Sequence, residues 1–95
     1  PYCAEDGTYI PKKFYRAATA HIMPKNLFPS VASHPMNYLI LGAGCCHDKT
    51  HRIDTFSKMK VFPIAIEHFY QFEKEIKENH KYLTLFKEAI KNYKS

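Results

Sequence analysis

Tyr38-Leu39-Ile40-Leu41-Gly42-Ala43-Gly44-Cys45-Cys46-His47-Asp48-Lys49-Thr50-His51 is the stretch on which the fold turns. Tyr38 to Leu41 is the most strand-like run in the chain, and Gly42-Ala43-Gly44 breaks it. From Cys45 to about Lys58 there is no Gly or Pro, which predicts a helix. On such a helix His47 and His51 lie four residues apart, so both imidazoles project from one face about one turn apart. That spacing lets two histidines bind one metal ion. Upstream, Ala18 to Met23 reads as a strand that Pro24 ends, with His21 between Ala20 and Ile22. Residues 24–36 carry Pro24, Pro29 and Pro35 and read as an ordered loop with room for one short helical turn. The first 18 residues hold a turn signal at Asp6-Gly7 and an alternation around Tyr9 to Tyr15 that suggests a short strand.

Downstream of Pro63 the pattern is helical. Ala65, Phe69, Phe72 and Ile76 share one face, and Tyr82, Phe86, Ala89 and Tyr93 repeat the spacing, with Leu85 and Ile90 widening the stripe. The polar run Glu78-Asn79-His80-Lys81 separates two helices whose stripes are core or docking faces. No repeat or low-complexity stretch interrupts the chain. The element order is therefore strand, loop, strand, helix and a helical tail.

Ninety-five residues make one small domain, of a size that buries only about two-thirds of its unfolded surface, so a bound metal would help to hold it. With 45% hydrophobic and 15% aromatic residues, disorder is a poor reading of the whole chain. No apolar run approaches a membrane span, and no signal-peptide core is visible. The chain begins at Pro1, as expected of a processed product or an excised fragment. Residues 1–60 carry eight Lys or Arg against four acids, whereas residues 61–95 carry six against five. Most of the net charge of +5 thus lies in the half that holds the histidine motif, which favours a polyanionic partner. Cys3, Cys45 and Cys46 are odd in number, and neighbouring cysteines rarely bridge each other. Intracellular thiols or metal ligands in a cytoplasmic protein fit better than a disulfide scaffold.

In combination, Thr19-Ala20-His21-Ile22-Met23-Pro24-Lys25, Asn37 before Tyr38-Leu39, and Cys46-His47-Asp48-Lys49-Thr50-His51 resemble the His-Asn-His (HNH, ββα-metal) nuclease family. The likeness covers residues 19–54, with spacings of 16, 10 and 4 residues between His21, Asn37, His47 and His51. It implies an α+β fold in which a two-stranded antiparallel hairpin packs on a helix over residues 1–60, followed by C-terminal helices over 61–95. It also implies a metal-dependent DNA endonuclease. His21 matches the general base, a role that suits an imidazole because its ordinary pKa lies near working pH. Asn37 matches the residue that orients this base through a side-chain hydrogen bond and steadies the loop between the strands. His47 and His51 match the ligands of one divalent cation, Mg²⁺ or Mn²⁺ by analogy, with Ni²⁺ or Zn²⁺ compatible with histidine donors. Lys25, Lys49 and Arg52 flank the motif and are the candidate phosphate contacts; His34, His68 and His80 have no assigned role.

Two departures from the family pattern stand out. Ala20 occupies the position where many members carry a further metal ligand. Asp48 and Asp54 are the nearby carboxylates, and on a helix Asp48 turns roughly 100° away from His47. Many relatives also brace the fold with two C-x-x-C pairs, but here the residue three before Cys46 is Ala43. Cys3, Cys45 and Cys46 are accordingly expected to be remnants of an incomplete structural zinc site. Two readings compete with the nuclease: a catalytically inactive DNA-binding module, and a structural zinc or protein-interaction domain. The helical tail is free to pack on the core, to pair with another copy in a homodimer, or to dock to a further domain.

Overall fold

Strands β1 (Thr19–His21) and β2 (Tyr38–Ile40) form one antiparallel pair, with Thr19 opposite Ile40, Ala20 opposite Leu39 and His21 opposite Tyr38. They are shorter than the apolar runs suggest, although Ile22 N–H still donates to Asn37 O at 3.2 Å and Leu41 N–H to Ala18 O at 2.8 Å. The computed structural model describes residues 1–95. It is a small α+β arrangement: this hairpin with α1 (Ile53–Phe56), α2 (Phe62–Phe72) and α3 (Lys81–Lys94). Period-two alternation of side chains explains the hairpin's two faces. Ala20 and Leu39 are buried in the core, while Thr19 and His21 are half-buried on the other side.

The segment before β1 differs from the expected strand. Tyr2 and Tyr9 make only an isolated bridge, and Lys12–Phe14 forms a 3-10 turn that starts after Pro11. The turn at Asp6-Gly7 does form. Gly7 has φ 79°, a left-handed conformation that costs glycine little, and Thr8 N–H donates to Asp6 Oδ1 at 2.9 Å. The loop between the strands contains the expected short turn, at Pro29–Val31.

After β2 the predicted helix from Cys45 to about Lys58 is broken in two. His47–His51 is a 3-10 turn, Arg52 is extended (φ −128°, ψ 135°), and α1 begins only at Ile53. The cause is local competition for backbone carbonyls. Thr50 Oγ1 donates to His47 O at 2.8 Å, and Thr55 Oγ1 donates to Lys49 O at 2.6 Å and to Arg52 O at 3.1 Å. The hydroxyls bond the His47 and Lys49 carbonyls before the break, whereas Arg52 O still accepts the first bond of α1 from Phe56 N–H at 2.9 Å.

The helical tail packs on the hairpin half rather than away from it. Phe62, Ala65, Ile66, Phe69 and Phe72 of α2 and Tyr82, Phe86, Ala89 and Ile90 of α3 are buried in one 23-residue cluster with Ala20, Ile22, Leu39 and Phe56. Leu85 and Tyr93 of the predicted stripe stay exposed. Phe69 and Phe86 approach to 4.9 Å between ring centroids, a contact that ties α2 to α3. The Glu5 carboxylate accepts from Lys60 N–H (2.9 Å) and Val61 N–H (2.8 Å), closing the start of α2 with a residue from the far end of the sequence. No helix is long and apolar enough to cross a membrane.

Candidate active site

His21, His47 and His51 line one cleft of about 690 Å³, together with Arg16, Lys25 and Thr50. β1 contributes to it twice, because Thr19 and His21 fall on the same face of the strand. Thr19 O lies 3.1 Å from His47 Nε2, so the 3-10 turn is seated against the strand through its first histidine.

The ring contacts fix chemistry as well as position. A carbonyl oxygen can only accept, so His47 Nε2 carries a hydrogen, and in the neutral ring Nδ1 is the nitrogen with the lone pair. His21 is held in the same way. Its Nε2 faces Ala32 O at 3.2 Å, which makes Nε2 the donor and Nδ1 the free base nitrogen. A backbone carbonyl behind an imidazole is the usual device for fixing the tautomer of a metal-binding histidine.

On the turn, the His47 and His51 rings lie 5.4 Å apart edge to face. One ligand atom from each of His47, Asp48 and His51 fits within 4.8 Å of the others, so this group could hold a metal ion. Asp48 therefore joins the histidines instead of turning away, with Oδ1 3.6 Å from His47 Nδ1. The helix on which the 100° rotation was reckoned is absent here. Asp54 is occupied elsewhere, by Arg52 at 2.8 Å.

Asn37 is fully buried, but it does not orient His21 through the expected side-chain hydrogen bond. Its Oδ1 accepts from Met23 N–H at 2.7 Å, and its Nδ2 donates to Met23 O at 3.1 Å and Val31 O at 3.0 Å. Asn37 thus staples the two ends of the inter-strand loop. The loop in turn presents Ala32 O to His21, so Asn37 acts on the ring at one remove.

Of the three cations expected to meet phosphate, Lys25 lines the cleft. Arg52 turns to Asp54 and to a neighbouring groove along α3, while Lys49 lines neither. Arg16, unassigned from sequence, stands on the cleft wall. Its signal was present: it is a basic residue just upstream of the strand that carries His21. Tyr82 also reaches the cleft from α3, donating its hydroxyl to Ile22 O at 3.3 Å, and burial pushes its phenol above the ordinary tyrosine range.

The cysteines are the second correction. Cys45 and Cys46 form a disulfide between neighbours, contrary to the expectation of free thiols, and Cys3 alone remains free. The Gly42 loop folds the chain tightly there: Cys46 N–H and His47 N–H both donate to Gly42 O at 3.0 Å. A Cβ at Gly42 would lie 3.1 Å from Cys45 Sγ, so the close approach uses the missing side chain. Asp6 is a donor that the sequence reading left out, but with the Cys45–Cys46 bond in place Cys3 is the one thiol of the set. Asp6 brings a carboxylate to the three sulfurs, and one ligand atom from each of Cys3, Asp6, Cys45 and Cys46 lies within 4.8 Å of the rest. The Thr8 backbone N–H bonded to Asp6 holds its carboxyl below the usual range, keeping it ionised and suited to a cation. The C-x-x-D spacing of Cys3 and Asp6 was the available clue. Comparison with protein-family models, curated proteins and solved structures returns no match for this chain.

Proposed function

We propose that the chain is a metal-dependent endonuclease of the His-Asn-His type that hydrolyses DNA phosphodiester bonds. The observation that carries this reading is the convergence of His21, His47 and His51 on one basic cleft, with His21 and His47 each held so that Nδ1 is the free nitrogen. The donor set suits a divalent cation: two imidazoles and the Asp48 carboxylate gather within 4.8 Å. Such donors are compatible with Mg²⁺ or Mn²⁺ and also with Ni²⁺ or Zn²⁺. When bound there, a divalent cation supplies Lewis-acid stabilisation of the charge that develops on the phosphate.

The chain's own residues do the remaining work. His21 Nδ1 takes a proton from the attacking water, whose oxygen forms the new bond to phosphorus as the bond to the 3′ oxygen breaks; that oxygen leaves with the electron pair and takes its proton from solvent. Arg16 and Lys25 on the cleft wall hold the phosphate without reading sequence. Asn37 is a positioning residue, acting through the loop that carries Ala32 O.

Cleavage of supercoiled plasmid in Mg²⁺, Mn²⁺ or Ni²⁺, with and without EDTA, tests the proposal. Cleavage is expected to require metal, and His21→Ala to lower it by about 10²- to 10⁴-fold while fold and DNA binding persist. Parent-like cutting by His21→Ala would remove the assigned base. Binding without cleavage in every metal would replace the enzyme with an inactive DNA-binding module. A structural metal-binding domain is the second reading, favoured by the Cys3, Asp6, Cys45 and Cys46 cluster once the Cys45–Cys46 bond is reduced. Failure to bind DNA at low salt would leave that reading alone.

A further inference from the structure

Residues 7–47 contain no Asp or Glu, yet they carry Lys12, Lys13, Arg16 and Lys25. All four cations are exposed, and none takes part in an ion pair. Only Arg52 and Lys87 of the 14 Lys and Arg pair with an acid, so this stretch is set apart by having no carboxylate of its own, and two of its cations, Arg16 and Lys25, line the histidine cleft.

Three of these cations sit in one short run, Lys12-Lys13-Phe14-Tyr15-Arg16, which is exposed along its whole length. Its position is fixed by hydrogen bonds from the residue before β1 and from the first side chain of β1. Ala18 N–H donates to Phe14 O at 3.0 Å, and Thr19 Oγ1 donates to Tyr15 O at 3.1 Å. Arg16, the last residue of the run, lines the histidine cleft beside Thr19, so the run leads up to the cleft through its C-terminal end. Phe14 also walls a separate, mostly apolar hollow of about 430 Å³ with Tyr9, Ile10 and Ala18. The only acid on that hollow is Asp6, which makes it a better seat for a base than for a phosphate.

Phe14 is 50% exposed, although a phenylalanine has no polar tip that gains from water. Lys13 Nζ lies 5.2 Å from the centre of its ring, so cation and aromatic face are presented together. Cations on either side of two open aromatic rings match a single nucleic-acid strand, in which phosphates seek charge and unpaired bases seek a flat apolar face. A closed duplex keeps its bases stacked on one another and has no use for Phe14.

We propose that the Lys12–Arg16 run is a docking platform for an unpaired DNA strand entering the histidine cleft, with Lys12, Lys13 and Arg16 on its phosphates and a base against Phe14. This rests on the nuclease reading for what happens in the cleft, and it names the strand form the protein prefers. The platform makes frayed, gapped or single-stranded DNA the favoured substrate over intact duplex.

Fluorescence anisotropy in EDTA, where cleavage is suppressed, tests the platform apart from the chemistry. The probes are a labelled single-stranded oligonucleotide and the blunt duplex of the same sequence. Phe14→Ala is expected to weaken single-strand binding about tenfold while changing duplex binding less than about twofold. Phe14→Trp, which keeps a stacking face, is expected to retain single-strand affinity. Joint replacement of Lys12, Lys13 and Arg16 by Gln should weaken both probes and flatten the plot of log affinity against log salt by about 2 for the single strand. Because these side chains are exposed, unchanged circular dichroism and melting separate lost contacts from lost fold. Unchanged single-strand affinity in Phe14→Ala, or equal losses on both probes, would overturn the platform, as would a parent that binds no DNA. A parent that shows the Phe14 dependence but cleaves in no metal would keep the platform and remove the nuclease.

Discussion

Asn37→Ala is expected to be among the most damaging single changes in this protein. The side chain is fully buried and makes three hydrogen bonds, accepting from Met23 N–H and donating to Met23 O and Val31 O. Alanine leaves one backbone donor and two acceptors without that partner. A buried N–H with nothing to bond costs about 1–3 kcal/mol, and the two carbonyls cost less because each has a second lone pair. The total is about 2–4 kcal/mol, a large part of the stability of a domain of 95 residues. At about 4–8 °C per kcal/mol, the melting temperature should fall by about 8–32 °C. Thermal unfolding followed by circular dichroism measures this directly. Asn37→Asp is the control, since it keeps the acceptor for Met23 N–H but loses both donor bonds; it should also melt low. Below the melting range, cleavage by Asn37→Ala should fall as well, because the loop presenting Ala32 O to His21 loses its staple. A variant melting within about 3 °C of the parent would refute the argument, since it would mean that the orphaned groups find other partners at little cost.

Other outcomes follow from the same geometry. His47→Ala should raise the metal concentration needed for half-maximal plasmid cleavage, and an unchanged requirement would remove His47 from the ligand set. Glu78→Gln should lower the melting temperature at pH 7, because Ser30 donates to Glu78 through both its hydroxyl and its backbone N–H and holds this carboxyl below its ordinary value of 4.5. A depressed folded-state pKa stabilises above the unfolded value, so the gap between parent and variant should persist down to that value and close as the pH falls below it; melting curves across this range that never converge would contradict it. Reduced protein should hold about one equivalent of zinc against a mild chelator through Cys3, Asp6, Cys45 and Cys46, and lose it on oxidation of Cys45 and Cys46 or in Cys3→Ser. Zinc retained equally by Cys3→Ser would place the metal elsewhere.

The histidine motif was legible because its parts sit where simple periodicities place them. Apolar runs around His21 and after Asn37 gave the two strands, and period-two alternation put His21 opposite the buried face. The spacing of Phe69, Phe72, Tyr82, Phe86 and Ala89 gave two helices and their inward faces, because burial of an amphipathic stripe depends on sequence order alone. A continuous helix between Cys45 and Lys58 overlooks local competition: the hydroxyls of Thr50 and Thr55 bond the His47 and Lys49 carbonyls. Partners distant in sequence were illegible for a different reason. Ala32 O behind His21, Thr19 O behind His47, Asp6 beside the cysteines and Glu5 at the start of α2 are contacts set by how loops close, and no local pattern encodes them. The residue types and spacings alone supplied the strands, the helical tail and the histidines. Only the tertiary structure chose which ring nitrogen of His21 and of His47 meets a carbonyl, that Asp48 gathers with His47 and His51, and which cations face the cleft, since each depends on the direction in which folding turns a side chain.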